Sequence, residues 1–389
     1  MDFEKIRADV EELLAADNPR DAFSALAPLI HYPGEVAEAG RFSEAMELLA
    51  RVADSLGPEA LPPLARTAAA QPDDPGALYK LGWQLVEMGL NGVAATVLAR
   101  ANDRRFGDAE ILTELSCALE REGLNADAAR ALREAPELVE TSFLVRYLLC
   151  FNGVMSGVID EPEALLPKLS TLVSDPERHP FMVATIRGMV ARAHAIEGVS
   201  ALDERDLRGW HYVITGGILL HLSPYGRNEG MSGRYAFVQN SVETCLEGIR
   251  RVQAVLEAWD ALPARVFHPE DRDSEILARA TATALGATLA AFDPQATDPA
   301  GLVVVYDLTD LESRAFQERG AALERFANLR THRPGQMLWS HASCWTYDAM
   351  AAGDLTTFLH QYNTPPWGAR LGVDPETKDR KEFPADESP

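Results

Sequence analysis

Leu81-Gly82-Trp83-Gln84-Leu85-Val86-Glu87-Met88-Gly89-Leu90-Asn91 and Leu115-Ser116-Cys117-Ala118-Leu119-Glu120-Arg121-Glu122-Gly123-Leu124-Asn125 are two copies of one pattern, 34 residues apart. The match continues through Ala94 and Ala128, Ala95 and Ala129, Leu98 and Leu132, and Ala101 and Ala135. Leucines four apart stack on one face of a helix. Gly89 and Gly123 then supply the positive-φ residue that ends the helix and turns the chain. Small alanines let a second helix pack closely against the first. No such unit buries its apolar face alone, so several have to stack.

The pattern resembles the tetratricopeptide repeat family, whose unit is a helix-turn-helix of this period. A third copy carries Leu149 and Gly157 at the same offset. An earlier one, Ala39-Gly40-Arg41-Phe42-Ser43-Glu44-Ala45 through Leu49, is displaced by an insertion containing Pro62, Pro63, Pro72 and Pro75. Phe181 to Ile196 reads as a closing helix. The period predicts roughly four to five helix pairs in an α-solenoid over residues 1–198. The resemblance implies a protein or peptide partner held on the repeats. Trp83, Phe42 and Phe143 read first as core and second as contacts in a peptide groove.

The chain has 389 residues, long enough for two domains, and a formal net charge of -23. Nucleic-acid coating needs clustered Lys and Arg, and an anionic membrane surface needs the same, so both are excluded as expectations. An acidic surface suits a basic or helical ligand. Met1-Asp2-Phe3-Glu4 lacks the basic start of a secretory signal, and apolar runs such as Leu302–Tyr306 are too short to span a membrane. Cys117, Cys150, Cys245 and Cys344 form no CxxC pair, which fits buried thiols in a reducing cytoplasm.

The pattern changes near residue 200. Residues 201–373 read as an α/β domain and 374–389 as a disordered tail. A strand is expected over His211–Leu222, interrupted at Gly216-Gly217, then a glycine-rich loop from Ser223 to Arg234. A helix over Ser241–Trp259 follows from apolar residues at steps of three and four. Strands are expected at Ala264–Phe267, Gly301–Tyr306 and Gln336–Trp339, with helices at Ser274–Leu285 and Glu312–Leu329 between them. Alternation of this kind predicts a mainly parallel sheet with crossover helices. Gln361–Trp367, aromatic and proline-bearing, is expected to dock the chain terminus on the core.

Ligands of such sheets bind beyond the carboxyl ends of the strands. Three segments fall there: His268–Ser274, Asp307–Asp310 and Ser340–Trp345. Their order resembles the phosphoribosyltransferase-like fold, in its ribose-phosphate pyrophosphokinase branch, over Ala264 to Trp345. The resemblance implies contacts from Asp271, Asp273, Ser274, Asp307, Asp310 and His341 to a phosphorylated sugar or nucleotide, with Mg²⁺ as the cation the acids would hold. The same residues have a plainer reading, in which Asp271, Asp273, Ser274, Asp307 and Asp310 cap helices. The chain also departs from the family, because Asp307 is followed by Leu308-Thr309-Asp310-Leu311-Glu312 with no glycine for a phosphate loop.

Two further candidates remain. Arg227, Arg234 and Tyr235 lie in or beside the glycine-rich loop, where positive charge and a lid would coincide. His341 beside Cys344 suggests a thiol nucleophile, provided that the backbone lets them meet. No motif assigns a cofactor or a resident metal. The expected function is a protein-interaction scaffold with a non-catalytic α/β domain of phosphoribosyltransferase-like or Rossmann-like fold. The alternative is a transferase or sensor that binds the phosphorylated ligand.

Overall fold

The computed structural model describes residues 3–203, 206–220, 234–296, 300–330, 333–344, 353–373 and 377–386. The chain divides into two compact units, Met1–Val190 and Ala191–Pro389.

The first unit is helical among the described residues. Phe3–Ala15 packs on Pro19–Ile30, Ala39–Leu56 on Leu61–Ala70, and Pro75–Glu87 on Asn91–Arg104. Ala109–Arg121 pairs with Asn125–Arg133, and Phe143–Met155 with Asp160–Thr171. The short helix Pro136–Thr141 lies between these last two hairpins, and His179–Ala195 runs across the division between the units. The last helix of each hairpin also touches the first helix of the next.

The 34-residue period reappears in atomic detail. Asp74, Asp108 and Ser142 each accept a backbone N–H from the first turn of the helix that follows, satisfying donors that have no partner inside the helix. Gly89 and Gly123 have φ of +74° and +73° at the turn. Gly82 is needed for packing, since a Cβ there would lie 2.5 Å from Leu98 Cγ. Three of the four prolines of the insertion begin helices, Pro62 and Pro63 opening Leu61–Ala70 and Pro75 the next helix, while Pro72 lies in the turn between them. Phe42, Leu78, Leu81, Leu85, Ala94 and Leu98 are fully buried. Phe143 is buried as well, whereas Trp83 is 45% exposed and lies outside the core.

The second unit holds β1 (Ile218–Leu219), β2 (Arg234–Gln239), β3 (Arg265–His268), β4 (Thr288–Ala291), β5 (Gly301–Asp307), β6 (Gln336–Cys344) and β7 (Leu355–Thr364). All pairs in this sheet are parallel, in the order β1-β7-β6-β5-β3-β4, with β2 beside the later part of β7. The crossover from β3 leads outward to β4 and the crossover from β5 leads the other way to β6. The order therefore reverses between β3 and β5, which makes that junction the switch point of the sheet. Alternate residues of β5 serve opposite layers. Leu302, Val304 and Tyr306 pack with helices Val242–Ala258 and Arg272–Leu285, while Val303 and Val305 pack with Leu308–Glu318 and Ala321–Arg330. β8 (Arg370–Val373) and β9 (Arg380–Phe383) form a separate antiparallel pair.

Three local readings need correction. His211–Thr215 is helical, within Leu207–Thr215, because Asp206 caps the first turn through Gly209 N and Gly216 closes it at φ +80°. The segment Gln361–Trp367 does dock on the core, through Trp367, but its residues up to Thr364 complete a strand that was not expected, β7 over Leu355–Thr364. Residues 380–383, read as part of a disordered tail, form β9. The chain just beyond it is tied down where Asp386 N donates to Trp367 O and its carbonyl accepts from Arg272 Nη2.

Candidate functional site

The carboxyl ends of β3, β5 and β7 gather polar groups whose first duty is structural. Asp271 Oδ1 accepts from Ser274 N at 2.8 Å, capping helix Arg272–Leu285. Ser274, buried, accepts Tyr306 N on its Oγ and so ties that helix to β5. Asp307 ends β5 and caps Leu308–Glu318 by accepting from Thr309 N and Asp310 N at 3.1 and 3.3 Å. Thr309 Oγ1 in turn accepts Cys344 N from the end of β6. The chain enters the helix immediately after Asp307, so no extended phosphate loop forms there.

Asp307 has a second set of contacts that sequence reading missed. His360 Nε2 lies 2.7 Å from its Oδ2, both side chains being almost fully buried, and Asn363 Nδ2 donates to the same oxygen at 3.3 Å. Asn240 Nδ2 donates to Tyr306 Oη at 2.8 Å and reaches Asn363 Oδ1 at 3.3 Å. Burial alone would raise the Asp307 carboxyl. The contact with His360 and its charge, helped by Asn363 and backbone N–H groups, outweigh that and hold it below the ordinary range. Asp310 goes the other way: desolvation, reinforced by the charge of Asp307, pushes it up to about 6. Burial also raises Asp271, against the opposing pull of its hydrogen bonds with Ser274 and of the Arg314 charge.

Asp271, Asp273, Asp307 and Asp310 thus lie close enough to influence one another, with Arg314 the cation acting on both Asp271 and Asp310. They do not converge as ligands. Among the described residues no group of three or more His, Cys, Asp or Glu is arranged to hold a metal ion. Asp273 accepts from Trp367 Nε1 at 2.6 Å, so that ring docks against this rim and tilts over Tyr306. His341 is not part of the rim. Its ring packs with Tyr306, Trp339 and Phe358, and a Cβ at Gly248 of helix Val242–Ala258 would lie 2.7 Å from its Nδ1. Three positions along one strand put His341 and Cys344 on opposite faces, and Cys344 Sγ reaches Gln361 O at 3.8 Å. Arg227 lies outside the described residues; Arg234 opens β2, and the described side chains do not include it or Tyr235.

No family model matches the chain, and no curated protein does. Among solved structures, MamA of AMB-1 is similar at 19% identity and a TM-score of 0.27, over 43% of this chain and 97% of that one. A MamA point mutant matches at 18% and 0.27, over 44% and 97%. A purine phosphoribosyltransferase from Pyrococcus horikoshii Ot3 matches at 14% and 0.25, over 36% and 98%. Likeness at this level assigns neither family nor activity.

The helical unit carries a second concentration of chemistry, on the first helices of three successive hairpins. The Tyr79 hydroxyl is raised by burial and by Glu114, Glu110 and Asp108 of the next helix and its cap. Glu114 is raised by burial and by Glu87, against the opposing pull of Arg121. Glu120, also raised by burial, accepts from Asn152 Nδ2 at 3.1 Å. Tyr147 is pushed up to about 12 by burial and Glu120, and stands between Phe143 and Phe151 in a stacked row with centroid spacings of 6.4 and 6.2 Å. Helices Pro75–Glu87, Ala109–Arg121 and Phe143–Met155 therefore share a face that is aromatic and acidic, with Trp83 and Leu144 exposed on the outer two.

Proposed function

We propose that the chain is a protein-interaction module. Its hairpins stack as a tetratricopeptide-like solenoid, and the α/β unit, phosphoribosyltransferase-like or Rossmann-like in topology, is not catalytic. The observation that carries the reading is the acidic, aromatic face on the three repeat helices. Half-buried carboxylates that stay raised despite the charge of Arg121 gain from a further cation, and aromatic rings beside them receive the apolar stems of Lys and Arg. The partner of best fit is a basic peptide segment. Commitment of Asp271, Asp307 and Ser274 to caps and to a strand N–H weighs in the same direction, since those residues were the prime candidates for a phosphorylated ligand.

Fluorescence polarisation of labelled Lys/Arg-rich helical peptides against the full chain tests this. We expect saturable binding that weakens with salt, and at least a tenfold loss in the double variant Glu114→Lys, Glu120→Lys. Equal affinity for an acidic peptide, or no loss in that variant, sinks the reading.

A second reading, an enzyme or sensor for a phosphorylated sugar or nucleotide with Mg²⁺, draws on one observation: Asp310 sits beside Asp307 at the switch point with its carboxyl raised to about 6. Calorimetry with Mg²⁺ and ribose 5-phosphate, repeated with Asp310→Asn, separates the two. Heat that disappears in the variant favours this reading over the first.

A further inference from the structure

The aromatic row on helix Phe143–Met155 does not stop at that helix. The His179 ring stacks on Phe143, with centroids 3.6 Å and planes 4° apart. Phe151, Tyr147, Phe143 and His179 thus follow one another across two helices. His179 is held in place because its Nδ1 accepts from Ser174 N and Asp175 N at 3.1 and 3.3 Å. Asp175 in turn accepts from Glu177 N and Arg178 N, as Asp108 accepts from Glu110 N and Ile111 N. Helix His179–Ala195 therefore opens like the first helix of one more repeat and prolongs the face.

A groove of about 650 Å³ lies where the row ends. Phe143 and His179 line it together with Leu144, Phe181 and Met182. Phe181 is 75% exposed and Leu144 45% exposed, so water meets large apolar side chains on both helices. Asp175, Glu177 and Arg178 supply the polar edge, with one acid in excess. A concave apolar patch with a polar rim is the form of an interaction site.

We propose that this groove holds one large apolar side chain of the basic peptide assigned to the acidic face. The inference rests on that reading and adds a second determinant to it. Glu114 and Glu120 attract Lys and Arg wherever these fall in a segment, so charge alone sets no register. An apolar anchor against Phe143, Phe181 and Met182 sets one, because a small or charged residue gains nothing there. Its contribution comes from burial and is not screened by salt.

Three labelled peptides test this by fluorescence polarisation against the full chain. All share one Lys/Arg-rich helical sequence; one has Ser at both ends, one Phe at the amino end and one Phe at the carboxyl end. One phenylalanine peptide is expected to bind at least tenfold more tightly than the serine peptide, and to keep that margin at high salt. Phe181→Ser, at an exposed position, should abolish the margin while the serine peptide binds as before. If that variant does not fold, Met182→Ser should show the same loss. Absence of binding by all three peptides would overturn the acidic-face reading and this one with it. A serine peptide that binds as tightly as both phenylalanine peptides, or a margin that survives in the folded variant, overturns the anchor alone.

Discussion

Asp307 shows how one side chain can look catalytic in sequence and be structural in three dimensions. A carboxylate ending the most apolar strand faces the usual ligand cleft. Here its Oδ1 satisfies two helix-start donors, and its Oδ2 meets His360 and Asn363. Removing it strands buried partners, which is costly. Asp307→Ala is expected to lower the unfolding free energy by ~3 kcal/mol in urea denaturation, from the lost cap and the orphaned polar groups. Asp307→Asn, which still caps, should lose clearly less. Equal and negligible effects of both would show that the residue is kept for something other than stability.

At the scale of elements, the repeat turns give the sharpest test. A Cβ at Gly89 or Gly123 meets nothing within 4 Å, so each Gly→Ala cost is conformational, about 1 kcal/mol for holding alanine at positive φ. Gly82→Ala adds a steric term against Leu98 and should cost more, roughly 1–3 kcal/mol above the turn variants. Chemical denaturation of the three variants checks the order. Helices were legible because a 3.6-residue pattern repeated at fixed offset needs only local spacing to be recognised. So were β3, β5 and β6, as short apolar runs bounded by turns. Strand β7 was passed over, although Leu355-Thr356-Thr357-Phe358-Leu359 is rich in strand-forming residues. With it went His360 and Asn363. The aliphatic His211–Leu222 misled in the opposite sense, because Asp206 and Gly216 bracket a helix over its first half.

For the molecule as a whole, pH reports on one of the buried imidazoles of the α/β unit, that of His211. His211 is 2% exposed, neither ring nitrogen has a hydrogen-bond partner, and burial lowers it from 6.5 to about 4. The folded state therefore holds this ring neutral while the unfolded chain takes up a proton below about 6.5. Its contribution is complete above that pH and is lost as pH falls toward about 4, to the extent of ~3 kcal/mol. His211→Leu should flatten the acid limb of stability between those values relative to wild type, measured by denaturant midpoints at pH 7, 5.5 and 4. Parallel profiles for the two proteins would exclude the ring as the cause.

The 34-residue period, the Asp74, Asp108 and Ser142 caps, the strongest strands and the net charge of -23 are all properties of residue order. They follow from sequence because helix faces, caps and apolar strand runs depend on neighbours a few positions away. What the acids do was decided only by the tertiary structure. Asp307 and His360 are more than fifty positions apart, and Asp271 and Phe292 line one crevice from the ends of two adjacent strands. Strand order and crossover direction bring these groups together. A buried carboxylate takes its protonation and its partners from whatever that packing sets beside it.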